Sequence, residues 1–277
     1  IVPNLKRLTL NEENIMLLTD AHFPKDLLVK LTFLGLSFDN HDIKKDTLPF
    51  DFLHKVPSLE HLVVQRFYGL KEIFPSQKLQ VHDRSLPGFK QLSLLNLGQL
   101  ESIGLEHPWV NPYSENFQIL NLRRCPQLEK VVSCAVSFIN LKELEVTDCY
   151  GMKYLFKCST AKSLLKLETL SIKKCESIKE IVKKDKDASN EIIFERLKEL
   201  RLESLGRLVR FYSGDATLQF SCLEEATIAE CPNMNTFSEG FVSAPMFEGI
   251  KTSTEDSADL TFHHDLNHTI KMLFHQQ

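Results

Sequence analysis

Residues 138–156 read F-I-N-L-K-E-L-E-V-T-D-C-Y-G-M-K-Y-L-F. The apolar positions are Phe138, Leu141, Leu144, Val146, Met152 and Leu155, with Cys149 between them. Leu144-Glu145-Val146 alternates as a strand does. The spacings of three on either side fit neither a strand nor a long helix. One turn of a solenoid accounts for the mixture: a short strand, a bend and an irregular return, each sending side chains inward.

Aligned on the last inward strand residue, this frame recurs along the chain. Its anchors are Leu10, Leu36, Val64, Leu97, Leu122, Val146, Ile172, Leu202 and Ile228. Successive steps run from 24 to 33 residues, in and just above the roughly 20–29-residue period of leucine-rich repeats. Two residues before each anchor stand Leu8, Leu34, Leu62, Leu95, Leu120, Leu144, Leu170, Leu200 and Ala226. A single turn cannot bury its leucines alone, whereas stacking buries them against the turns on either side. The expected fold is an α/β solenoid: an irregular leucine-rich-repeat horseshoe with parallel strands on the concave face. Mostly loops and short helical turns are expected on the convex face, because spacings of three after each anchor suit tight turns or short 3₁₀ pieces. Residues 1–240 are read as an array of about nine turns. Residues 241–277 are read as a polar connector and a short amphipathic helix, in which Leu266, Ile270, Leu273 and Phe274 recur at helical spacing and pack on the last turn.

A hydrophobic content of 43% in 277 residues supports a sizeable core. The formal net charge of −4 gives no bulk attraction to nucleic acid or to an anionic membrane. No apolar run approaches the roughly 20 residues of a membrane span, and no signal-peptide pattern is present. The chain starts Ile1-Val2-Pro3-Asn4-Leu5, already inside a repeat. The expectation is a fragment of a longer protein whose upstream part holds any enzymatic or switching chemistry.

Cys125, Cys149, Cys175 and Cys231 each follow their anchor by three residues, in a slot that this alignment fills elsewhere with Phe67, Leu100 and Leu205. A slot shared by Cys, Leu and Phe is an apolar inward slot, which a small thiol fits while weakly hydrogen-bonding a carbonyl. A metal ladder or disulfides are the alternatives. The seven cysteines include no C-x-x-C pair, which favours packing, and reduced thiols suit the cytosol. His263, His264, Asp265 and His268 form the most metal-like cluster, but zinc needs further ligands, and a helix start with exposed histidines is the simpler reading. Asn267-His268-Thr269 matches a glycosylation sequon, which a cytosolic chain leaves bare. No catalytic, cofactor or metal site is expected.

The informative surface is the concave face, where residues between and beside the inward leucines meet solvent. On this alignment Phe33, Val63, Leu94 and Ile119 are exposed apolar positions that suggest a partner contact. Arg123 stands beside them. Glu143, Glu145, Glu199, Glu203 and Glu225 form an acidic patch for a basic partner, with Lys173 and Arg201 setting register.

C-P-Q-L-E-K-V-V at 125–132, C-E-S-I-K-E-I-V at 175–182, C-P-N-M-N-T-F at 231–237 and the linker H-P-W-V-N-P-Y-S-E-N-F at 107–117 carry a family likeness, as does the tail D-L-N-H-T-I-K-M-L-F at 265–274. Together they resemble the leucine-rich-repeat region of plant nucleotide-binding disease-resistance proteins of the coiled-coil type. The resemblance implies a cytoplasmic immune receptor. In it the repeats recognise a pathogen effector or a modified host protein, and restrain an upstream nucleotide-binding domain in cis. No G-x-x-x-x-G-K-[ST] occurs here, so nucleotide binding is not carried over. The rival reading is an F-box-type substrate receptor of a ubiquitin ligase, whose I-T-D near the turn is missing. An extracellular receptor would show G-x-I-P turns and flanking cysteine pairs.

Overall fold

The computed structural model describes residues 4–19, 28–38, 48, 53, 55–75, 88–132, 136–185, 191–253, 261 and 265–274. The polar loop read at 39–46, most of those at 75–88 and 183–191, the connector core at 254–259, Cys134, His263 and His264 lie outside the described residues.

Ten strands form one parallel sheet in chain order. They are Arg7–Asn11, Phe33–Ser37, His61–Gln65, Gln91–Leu95, Ile119–Arg123, Glu143–Thr147, Thr169–Lys173, Glu199–Glu203, Glu225–Ala229 and Gly249–Lys251, and each turn takes the number of its strand. Leu120, Leu144, Leu170 and Leu200 stand side by side, as do Leu122, Val146, Ile172 and Leu202. This is the in-register stacking that makes the interior one continuous core running from Ile15 to Ile270.

Beyond each strand the backbone repeats a fixed bend. The second residue after the anchor is left-handed in seven consecutive turns: Arg66, Asn96, Arg124, Asp148, Lys174, Ser204 and Glu230, with φ between 52° and 59°. That conformation costs an L-residue about 1–2 kcal/mol. It is held because the same N–H reaches the next turn, as Asp148 N to Lys173 O at 3.0 Å and Lys174 N to Glu203 O at 2.9 Å. A tight turn follows at once: Met152 N donates to Cys149 O at 3.2 Å and Ile178 N to Cys175 O at 3.2 Å. These turns are the spacings of three seen in the sequence. The Cys slot is buried, and its thiols point at carbonyls of the preceding anchor, as Cys231 Sγ to Leu202 O at 3.5 Å. All six described cysteines are free thiols.

Turn four corrects the sequence alignment. Leu92 pairs with Leu62 and Leu94 with Val64, so the anchor is Leu94, not Leu97. The run Leu92-Ser93-Leu94-Leu95-Asn96-Leu97 offers two frames three residues apart. The frame adopted places Phe89 beside Phe117 in the slot before the strand, their rings 6.4 Å apart, and buries Leu97, Leu100 and Ile103 after it. Gly104 follows with φ +81°, and a Cβ there would run into the Phe74 carbonyl.

The sheet also runs one strand past the ninth anchor. Gly249–Lys251 pairs with Glu225–Ala229, with Phe247 and Ile250 in the buried slots. Thr252 at the would-be anchor is polar and exposed, which hid this turn from a leucine pattern. Thr261 then bridges back antiparallel to Ile250.

The convex face holds more strand than expected. Phe156–Lys157, Glu180–Lys183 and Arg210–Tyr212 make one small parallel sheet, and Glu191–Phe194, Thr217–Phe220 and Val242–Ser243 make a second. Helices are short: Glu12–Thr19, Cys158–Ala161, the 3₁₀ segment Asn111–Asn116 and Leu266–Phe274. Trp109 seals the bridge between turns four and five. Its Nε1 donates to Pro75 O at 3.0 Å, and its ring meets Phe74 edge-on.

Candidate concave recognition surface

The parallel sheet fixes where each concave side chain stands. Three residues per strand face outward, and strands repeat at about 4.8 Å. The surface is therefore a grid whose chemistry is set row by row.

At the first turns the grid mixes exposed polar residues, Arg7, Thr9 and Asn11, with partly covered apolar ones. Phe33 is half-buried under Arg7, whose guanidinium lies 3.8 Å from the ring centroid. Gly35 beside it lies against Thr9 and the Phe33 ring. Val63 and Ile119 are half-buried. Leu94 is not on this face at all: it is an inward core residue, 0% exposed. The frame shift in turn four puts Gln91, Ser93 and Leu95 on the face in its turn.

From turn seven onward the charges neutralise one another. Lys173 Nζ meets Glu203 Oε1 at 3.0 Å across adjacent strands. Arg201 Nε is bound to Glu199 Oε1. Glu225 Oε2 meets Lys251 Nζ at 2.8 Å. Lys251 belongs to the tenth strand, so sequence reasoning missed it. The acidic patch expected from Glu143 to Glu225 is thus split. Glu199, Glu203 and Glu225 are spoken for, whereas Glu143 and Glu145 are exposed and have no partner among the described residues.

Turns five and six carry free charge of both signs. Arg123, Glu143 and Glu145 are exposed, while Ile119, Asn121 and Thr147 between them are half-buried. Glu143 stands beside Ile119 and Thr169, and Glu145 beside Asn121 and Ser171. The rim below is tied off: Arg124 Nε lies 3.5 Å from Asp148 Oδ2. Two carboxylates and one guanidinium held on rigid backbone can accept a basic group and an acidic group at fixed separation, with an apolar contact at Ile119.

Of the metal-like cluster, Asp265 and His268 are among the described residues. Asp265 Oδ1 accepts the His268 N–H at 2.8 Å, capping the last helix. Among the described residues no group of three His, Cys, Asp or Glu is placed to hold a metal ion. Among them, too, no helix is long and apolar enough to cross a membrane.

Comparison with known proteins bears on the array as a whole. A sequence family described as plant disease resistance protein RPS2-like, leucine-rich repeats, matches residues 4–137 and 132–239. A probable disease resistance protein of Arabidopsis thaliana, At5g63020, is 30% identical over 109 residues, which are 39% of this chain and 12% of that protein. The chain thus spans a small part of the length of this relative. The parallel sheet, the bend after each strand and the match over most of the array agree: the chain belongs to the leucine-rich-repeat region of RPS2-like plant disease resistance proteins.

Proposed function

We propose that this repeat region is the protein-recognition and autoinhibitory part of a cytoplasmic immune receptor. The observation that carries the reading is the electrostatic state of the concave sheet. In turns seven to ten Glu199, Glu203 and Glu225 are matched within the sheet, and in turns five and six Arg123, Glu143 and Glu145 are left unmatched. Rigid, exposed, uncompensated charge beside an apolar contact is what a polar protein surface recognises. The partner is a pathogen effector or a host protein changed by one, and in the resting state a nucleotide-binding domain of the same receptor. The ligand shifts the balance by favouring the released state over the docked one.

The test is the double change Glu143→Lys with Glu145→Lys in the whole receptor. It is expected to leave the folded repeat intact and to alter signalling, either by loss of the ligand response or by activity without ligand. An unchanged response with a folded array would place recognition elsewhere.

A further inference from the structure

We infer that Asn267 is a strap on the convex ladder at turn nine, its side-chain amide taking the place of a backbone rung, and that this use closes the Asn267-His268-Thr269 sequon to glycosylation in the folded chain.

The convex ladder passes from turn to turn through backbone bonds. Leu155 N donates to Ile181 O at 3.0 Å, and Phe211 N and Tyr212 N donate to Phe237 O at 3.1 and 2.8 Å. At turn nine the N–H groups of Phe237 and Ser238 point outward in the same way, and the carbonyl they meet belongs to a side chain. Asn267 Oδ1 accepts Phe237 N at 2.8 Å and Ser238 N at 3.4 Å, and lies 2.8 Å from Thr236 Oγ1. Its Nδ2 donates to Ser238 O at 3.2 Å. Two N–H donors on one side and a carbonyl on the other fix which way the amide faces. An unpaired rung at a buried edge is costly, and Ser238 and Phe237 are both buried.

The helix that carries Asn267 is shaped to deliver it. Asp265 caps its start, and Leu266, Thr269 and Ile270 are buried. The Thr269 hydroxyl donates to Asp265 O at 2.7 Å. Both polar residues of the sequon are therefore committed to the fold. A sugar on Nδ2 replaces one of its hydrogens and has to occupy the space against the Ser238 carbonyl.

Hydrogen exchange of the 277-residue chain tests this. Asn267→Ala is expected to speed exchange at the Phe237 and Ser238 amides at least about tenfold. Lys271→Ala, exposed on the same helix, is expected to leave them unchanged. Protection that survives Asn267→Ala would overturn the strap. The second arm routes the unmutated chain through a glycosylating secretory pathway. Any molecule that carries sugar at Asn267 is expected to show the fast exchange of the alanine variant. Sugar at Asn267 with both amides still protected would overturn the exclusion.

Discussion

Turns six and eight are nearly the same object seen from inside and opposite objects seen from outside. Leu144 and Val146 occupy the slots of Leu200 and Leu202, all buried. Asp148 and Ser204 share the left-handed bend, at φ 56° and 55°. Yet Glu199 and Glu203 are held by Arg201 and Lys173, and Glu143 and Glu145 are held by nothing among the described residues. The comparison separates two jobs. The interior repeats because each turn must stack on its neighbours. The face is released from that demand, and its charges become informative only after pairing across strands is subtracted.

The largest effects should not distinguish the two turns. Leu144→Ala and Leu200→Ala are each expected to cost about 2–5 kcal/mol in denaturant unfolding, since both empty a closed core. A difference well outside that range would break the equivalence of the interiors.

Alkaline pH comes next, through the Cys slot. Burial pushes the Cys231 thiol from 9.0 up to about 12. The folded pKa is the higher one, so the stabilisation is complete below pH 9 and is lost as pH rises toward 12. The melting temperature should fall across that window, and Cys231→Ala should flatten the fall. Turn eight, with Leu205 in the same slot, contributes nothing to it.

Substitution at the bend is smaller. Asp148→Val and Ser204→Val are each expected to cost about 1–2 kcal/mol, because a β-branched side chain is a poor fit to positive φ.

The face gives the smallest stability changes, and here the turns should part. Glu203→Gln weakens the hold on a partly covered Lys173 and is expected to cost up to about 1 kcal/mol. Glu145→Gln removes a carboxylate that has no partner and should leave the melting temperature unchanged or slightly raised. Equal losses at both sites would show that Glu145 is paired after all.

Much of this was legible in the sequence. The nine strand-bearing turns recur because stacking imposes the same inward spacing each time, and the buried Cys slot was visible because Leu and Phe share it. The frame of turn four was not, because Leu92, Leu94, Leu95 and Leu97 satisfy two alignments and only Phe89 against Phe117 decides between them. The tenth strand was hidden by Thr252. Its loss concealed Lys251 and so the neutralisation of Glu225. The left-handed column left no trace, because six residue types and no glycine fill it. There the backbone bonds between turns set the conformation. On the candidate surface Arg123, Glu143 and Glu145 are exposed and Leu94 is buried, and the sequence gave no sign of which carboxylates were already paired.

The most direct measurement tests the proposed recognition role by comparing two charge changes in a full-length disease resistance protein that carries this array, read as its response with and without the proposed ligand. One is Glu143→Lys with Glu145→Lys. The other is Lys173→Glu with Glu203→Lys, which exchanges the members of an existing pair and keeps its charge balance. The first is expected to alter the response and the second to leave it at the unmutated level. A normal response from the first, with the array still folded, would contradict the claim that the free charges of turns five and six do the recognising.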